Sequence, residues 1–278
     1  MKSKVTIIAE IGENHLGDIE LAKHMIADAA DAGADIVKFQ SYNEACLKKS
    51  DPEYDWFCKA ALSDKDHFVL KKECEDCGVE FLSSPFSVER AKFLVDEAGL
   101  TKLKVASAML YNEKLRSFLE DYISVISYLY VSTGSAFVDN IEEFVCDLYM
   151  DQVCLMHCVS LYPCRAENAN LAAIRDMVAE FELEHDFGVD AIGYSDHTVG
   201  VVAPIMAVAL GATVIEKHFT FDRHCSEGTD HVLSLEPKQF KTMVKAIRTA
   251  EQMLGSGNKE PCVGELEMFD FFSTRFVR

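Results

Sequence analysis

The sequence predicts a single (β/α)8 TIM barrel, an α/β fold, and three observations carry that expectation. Short apolar runs alternate with longer amphipathic ones through eight cycles, the mark of a parallel sheet covered by helices. The 278 residues, 49% hydrophobic and 26% charged, suffice for one large core and little beyond it. Nearly every apolar run ends in a polar or reactive residue, as strands do when they converge on one mouth of a barrel. A doubly wound open sheet is the alternative that pattern alone leaves standing.

The strands are expected at residues 6–12, 35–40, 80–86, 103–107, 128–134, 153–160, 191–197 and 213–220. Between them lie helical stretches. In residues 20–32, Leu21, Met25 and Ala29 recur at helical spacing, and in residues 236–254 Phe240, Met243, Val244, Ile247 and Leu254 share one stripe. Residues 41–64, with Pro52, Trp56 and Phe57, read as an elaborated loop on the active-site face. Residues 1–257 form the expected barrel, and residues 258–278, with Phe269, Phe271 and Phe272, form a tail or docking segment.

Charge and cysteine usage narrow the setting. The 46 acidic and 27 basic residues give a net charge of −19, which argues against nucleic acid or an anionic membrane as partner. No segment reaches the ~18 consecutive apolar residues of a membrane span, and Met1-Lys2-Ser3-Lys4 runs straight into an apolar strand without a cleavable leader. Ten cysteines without a repeating frame, in a chain of this size, are expected as reduced thiols, so the expected location is the cytoplasm. Cys74 and Cys77 form a CxxC inside a helical pattern with no second pair at metal-site spacing, and Cys154 and Cys158 read as packing residues.

The strand ends carry the chemistry. They hold Glu10, Lys38, Ser83, Ser84, Lys104, Ser107, Ser132, Thr133, His157, Ser160, the run Ser195-Asp196-His197 and the run Glu216-Lys217-His218. Strands seven and eight would lie about 4.8 Å apart, close enough for His197 and His218 to share a metal ion through neutral imidazoles; two separately hydrogen-bonded histidines are the alternative. Lys38 and Lys104, set in apolar surroundings, with hydroxyls from Ser84, Ser107, Ser132 and Ser195, describe a cradle for a small, highly charged anion. In so acidic a chain, an anionic ligand needs such local cations.

Several segments resemble the sialic acid (N-acetylneuraminate or nonulosonic acid) synthase family. They are Ile8-Ala9-Glu10-Ile11-Gly12 with Asn14-His15 and Gly17, then 33–40, Ser84-Pro85-Phe86, Lys104-Val105-Ala106-Ser107, Ser132-Thr133-Gly134, His157-Cys158-Val159-Ser160 with Tyr162-Pro163, 193–198, 216–220 and 228–231. They occur in family order across residues 5 to 255. The resemblance implies a transferase of carbohydrate biosynthesis that condenses phosphoenolpyruvate with N-acetylmannosamine or a related amino-sugar, releasing phosphate and forming a 2-keto acid. It assigns His197 and His218 to a divalent metal, usually Mn or Mg. Phosphoenolpyruvate falls to Lys38, Lys104, Ser84, Ser107, Ser132 and Ser195. Glu10, Tyr162 and Asp230 fall where the family contacts the sugar, and Ser160 stands for an expected asparagine. A homodimer is implied.

Three departures accompany the resemblance. Met109 occupies the place of an acidic residue two positions after the serine of Lys-x-x-Ser. The sugar-contacting asparagine is missing, as noted. The small antifreeze-like domain that follows in most members, and that delivers an arginine across a dimer, has no counterpart in the expected barrel, which leaves Arg165, Arg223 or Arg275 as alternate sources of that charge. The competing expectations are a catalytically impaired relative that binds phosphoenolpyruvate or sugar in a regulatory role, and a related condensation with another aldehyde.

Overall fold

The computed structural model describes residues 4–148, 150, 152–182, 188–226, 228 and 230–275. Eight parallel strands alternate with helices: β1 (Thr6–Glu10), α1 (Ile19–Asp31), β2 (Ile36–Ser41), α2 (Tyr54–Ala60), α3 (Asp64–Cys77), β3 (Glu80–Pro85), α4 (Val88–Lys92), β4 (Lys102–Val105), α5 (Glu113–Asp121), β5 (Tyr128–Ser132), α6 (Val138–Leu148), β6 (Val153–Cys158), α7 (Ala172–Met177), β7 (Val189–Asp196), α8 (Val202–Ala209), β8 (Val214–His218) and α9 (Pro237–Leu254). The strand order is β3-β2-β1-β8-β7-β6-β5-β4. That order places the first and last strands side by side, as a (β/α)8 barrel requires. At the remaining seam between β3 and β4, Lys102 Nζ donates to Glu80 Oε2 at 2.8 Å.

All eight expected strands are present, each trimmed or shifted by one or a few residues. The expected strand at 6–12 stops at Glu10 because the chain turns there: the amides of Ile11 and Gly12 both donate to the Lys38 carbonyl, and Gly12 has φ 53°. Gly17 closes the same turn at φ 78°, where a Cβ would meet the Lys59 carbonyl oxygen at 2.3 Å, so no other residue fits. Helix α1 begins at Asp18, whose side chain accepts from the amides of Glu20 and Leu21. Residues 41–64 are more ordered than a plain loop, since they contain α2.

Strand alternation separates two packed regions. Outward residues such as Ile7, Ala9, Val37, Phe39, Leu103, Val105, Leu129, Leu155, Ile192 and Ile215 join the main core beneath the helices. Inward residues Ile8, Ile36, Leu82, Tyr130, Cys154, Met156, Ala191 and Val214 form a separate cluster that fills the barrel. Farther along most strands the inward positions turn polar, as Glu10, Lys38, Ser84, Lys104, Ser132, Ser195 and Glu216, and the pairs Glu10↔Lys38 and Ser195↔Glu216 stand in register between neighbouring strands.

The same alternation corrects part of the strand-end reading. Ser83, His157, Asp196 and Lys217 point away from the barrel interior. Lys217 and Asp196 form a fully buried ion pair at 2.7 Å, and Asp196 also accepts from the Tyr194 hydroxyl at 2.9 Å and the Thr198 amide at 2.7 Å. The pair ties the ends of β7 and β8 from behind and fixes the stations of Ser195, His197, Glu216 and His218.

Beyond α9, residues 255–275 are exposed and carry α10 (Glu265–Ser273), with Leu266, Met268, Phe269, Phe271 and Phe272 accessible. No helix among the described residues is long and apolar enough to cross a membrane.

Removing one partner of a buried pair strands the other charge, at a cost of about 3–5 kcal/mol. Lys217→Met should lower the unfolding free energy measured by urea titration by about that amount, and adding Asp196→Asn should restore part of it. A single variant as stable as the parent contradicts the pinning role.

Candidate active site

One cavity of about 540 Å³ opens at the C-terminal ends of the strands, and the twelve residues expected to bind substrate or metal all line it: Glu10, Lys38, Ser84, Lys104, Ser107, Ser132, Ser160, Tyr162, Ser195, His197, His218 and Asp230. Sequence reasoning assigned no role to Glu13, Gln40, Phe57, Phe86, Cys158 or Glu216, which line it too. Glu216 was within reach: it lies two residues before His218 on the same strand, hence on the same face. Glu13 gave no such signal, because it sits in the turn after β1, where the period of two has ended.

Glu216 is the hub. Its carboxylate lies 3.5 Å from Lys38 Nζ and 3.7 Å from Lys104 Nζ, and it accepts from Ser195 Oγ at 2.8 Å. Burial pushes this carboxyl up, but Lys104 and Lys38 together, aided by the Ser195 hydroxyl, overrule it and hold the group at about 2. Lys38 is also paired with Glu10 at 2.8 Å and donates to Ser84 Oγ at 3.3 Å; Lys104 donates to Ser132 Oγ at 2.6 Å. Burial lowers the Lys104 ammonium from its ordinary value. Lys38 is raised instead, since Glu10 and Glu216 outweigh its burial.

Glu10 behaves differently. Burial raises it to about 7, against the pull of Lys38 and with a further push from the Glu216 charge. It therefore exchanges a proton near neutrality, where an ordinary glutamic acid is fully ionised.

His197 and His218 come together as expected, with ring centroids 5.3 Å apart. His197 Nδ1 donates to the Val159 carbonyl at 2.8 Å, which leaves Nε2 free to face the cavity as a lone-pair donor. Burial lowers both imidazoles, and His197 lowers His218 further, so both are neutral at neutral pH. His218 Nδ1 is buried, makes no hydrogen bond and lies 3.4 Å from Asp230 Oδ2. Tyr162 covers His197 at a centroid distance of 4.1 Å. Among the described residues no group of three His, Cys, Asp or Glu side chains is arranged to hold a metal by itself.

Gly134 sits where Ser107, Cys158 and Ser160 converge. A Cβ there would meet Ser160 Oγ at 2.3 Å and Ser107 Oγ at 2.7 Å, and its amide donates to Ser107 Oγ at 3.0 Å. The missing side chain keeps this corner open to a ligand.

Four residues discussed from the sequence stand outside the cavity of this chain. Met109 does not line the cavity: the turn Ser107–Met109, closed by its amide on the Ala106 carbonyl, directs it into the main core. None of Arg165, Arg223 and Arg275 lines the cavity either. Arg223 donates to the Val232 carbonyl at 3.0 Å, and Arg275 lies over the Phe271 ring of the tail helix. The CxxC cysteines are free, with Cys74 buried in the core.

Known proteins share this arrangement. The model of the NeuB family matches residues 25–259. The N,N'-diacetyllegionaminic acid synthase of Legionella pneumophila is 36% identical over 94% of this chain and 76% of its own length. The N-acetylneuraminate-9-phosphate synthase of Mus musculus is 32% identical over 92% of this chain and 73% of its own. The crystal structure of the N-acetylneuraminic acid synthetase from Leptospira borgpetersenii superposes with a TM-score of 0.88 at 34% identity, covering 98% of this chain and 92% of that one. With a barrel of this topology, a mouth built from these side chains and a family match over most of its length, the chain belongs to the NeuB family.

Proposed function

We infer that the chain is a phosphoenolpyruvate-dependent nonulosonic acid synthase, which joins phosphoenolpyruvate to an N-acetylated amino-sugar aldehyde such as N-acetylmannosamine and releases phosphate. One observation carries the reading: a chain of net charge −19 places two buried ammonium groups, Lys38 and Lys104, with hydroxyls from Ser84, Ser107, Ser132 and Ser195, around one cavity. Such a cradle suits a small molecule bearing both phosphate and carboxylate. Glu216 holds the two lysines in place until that anion arrives.

In the proposed reaction C3 of phosphoenolpyruvate bonds to the aldehyde carbon, whose oxygen takes up a proton. Positive charge develops at C2, and water adds there. Glu10, poised near 7, accepts the proton that the water loses. The tetrahedral carbon then breaks its bond to the phosphate oxygen, leaving the 2-keto acid. Lys38 and Lys104 stabilise the charge that collects on the departing phosphate. Tyr162, Asp230 and Ser160 border the part of the cavity assigned to the sugar.

His197 and His218 fit a divalent ion, Mn or Mg by the family resemblance, since both rings are neutral, adjacent and open to the cavity; a bound ion would polarise the aldehyde oxygen as a Lewis acid. With only two protein ligands in place, substrate and water would complete the shell. We place the enzyme in the cytoplasm as a homodimer, with residues 258–278 as a tail outside the barrel domain 1–257. The ten free thiols suit that compartment.

Met109 supplies no acid-base group, and with its side chain in the core the proton-handling role falls to Glu10.

Calorimetry tests the cradle. Removing one charged partner from such a site costs about 2–5 kcal/mol, so Lys38→Met and Lys104→Met should each bind phosphoenolpyruvate at least about tenfold more weakly. Unchanged affinity in both variants refutes it. The pH profile tests Glu10: because its active form as a base is ionised, kcat/KM should rise with pH through about 7 and level off above. That limb should vanish in Glu10→Gln along with about 10²–10⁴-fold in rate, whereas a slow variant with the same limb assigns the ionisation to another group.

A further inference from the structure

The carboxyl groups of the cavity are unequally matched by cations. Lys38 and Lys104 face Glu10 and Glu216. Glu13 lines the same cavity, and no lysine or arginine among the described residues pairs with it. It is only 8% exposed. Gln40 Nε2 donates to its Oε2 at 3.1 Å. A carboxyl buried this deeply in the wall of a cavity, anchored by one neighbour and paired with no cation, is built for recognition.

Its position is also fixed. Asn14, next in the chain, donates from Nδ2 to the Phe219 carbonyl at 2.9 Å and to Ser234 Oγ at 3.0 Å, which locks the turn against the exit of β8. The Leu16 amide caps the Glu13 carbonyl at 2.9 Å. Gly17 lets the turn pass against Lys59. Glu13 therefore presents its carboxyl from rigid backbone, as selective binding requires. Burial, with Asp230 and Glu10 nearby, raises its carboxyl well above the ordinary value.

We propose that Glu13 is a specificity-determining residue of the aldehyde half of the cavity, and that its carboxyl group hydrogen-bonds one polar substituent, a hydroxyl or an acylamino group, along the aldehyde chain. The proposal rests on the synthase reading above. A pocket built around a hydrogen bond rejects an analogue that lacks it, because the buried partner is then left unsatisfied.

Phosphate release at saturating phosphoenolpyruvate is measured for the parent, Glu13→Gln, Glu13→Ala and Glu13→Leu. The aldehydes are N-acetylmannosamine and analogues each lacking one substituent between C2 and C6. With N-acetylmannosamine, Glu13→Ala and Glu13→Leu should lower kcat/KM for the aldehyde by about tenfold or more, mostly through KM, with the KM for phosphoenolpyruvate within about twofold of the parent. Glu13→Gln, which keeps a hydrogen-bonding group, should stay within about threefold. One analogue should cost the parent the same factor and cost the Ala and Leu variants nothing more, the signature of a shared contact. Equal losses on every analogue, or no loss at all, overturn the proposal while the parent still turns over. A parent that turns over no aldehyde overturns the synthase reading and the proposal with it.

Discussion

The structure turns on the cost of keeping two lysines inside a barrel. An ammonium group taken out of water needs a counter-charge at close range, and Lys38 and Lys104 share one in Glu216, set between them at 3.5 and 3.7 Å. Much of the mouth follows from that arrangement. Ser195 must lie beside Glu216 to complete its hydrogen bonding, Glu10 must stand in register with Lys38, and the layer below must be apolar and well packed so that water does not enter from beneath. Ion pairs of this kind contribute little to stability once desolvation is counted. Their worth is preorganisation: both cations stand in place before a charged ligand binds.

The resulting cavity is graded in protonation. Around the lysines, Glu216 is held ionised near 2, while Glu10 is poised near 7 only a strand away. Burial raises both carboxyls; at Glu216 the two ammonium groups and the Ser195 hydroxyl overrule it, whereas Glu10 has only Lys38 within ion-pair distance and Glu216 as a like-charged neighbour. Two carboxyls pushed apart in this way can serve different tasks, one as fixed scaffold and one as proton acceptor. Across the cavity the two imidazoles are neutral, as metal ligands must be, because burial disfavours protonation of both and His197 disfavours it further at His218. Behind the wall, Lys217 and Asp196 fasten the two strands that carry these histidines.

The barrel was legible because each strand is a short apolar run and each helix an apolar stripe, signals that survive without tertiary context. Strand ends were less certain, since Ile11 and Gly12 continue an apolar run although their amides already turn back to Lys38. Facing is where pattern reading fell short. Asp196 and Lys217 look as functional in sequence as their neighbours Ser195 and Glu216, and only the alternation of the pleat sends one pair outward and the other inward. Residues outside regular structure resist the argument entirely. Met109 follows a tight turn into the core, and Glu13 reaches the cavity from a turn whose course depends on Gly17 passing Lys59. No period in the sequence encodes either placement.

The account joins a cation pair, a proton acceptor and a neutral imidazole pair into a single condensation. Its most direct test is mass analysis of the products when the metal-supplemented protein is mixed with N-acetylmannosamine and phosphoenolpyruvate carrying ¹⁸O in the bridging C–O–P position. The account predicts an N-acetylated 2-keto acid with a nine-carbon backbone, formed one-for-one with phosphate, and the label found in the phosphate, because the bond that breaks lies between C2 and the bridging oxygen. Label retained in a keto product, or phosphate released without any carbon–carbon bond formed, contradicts it.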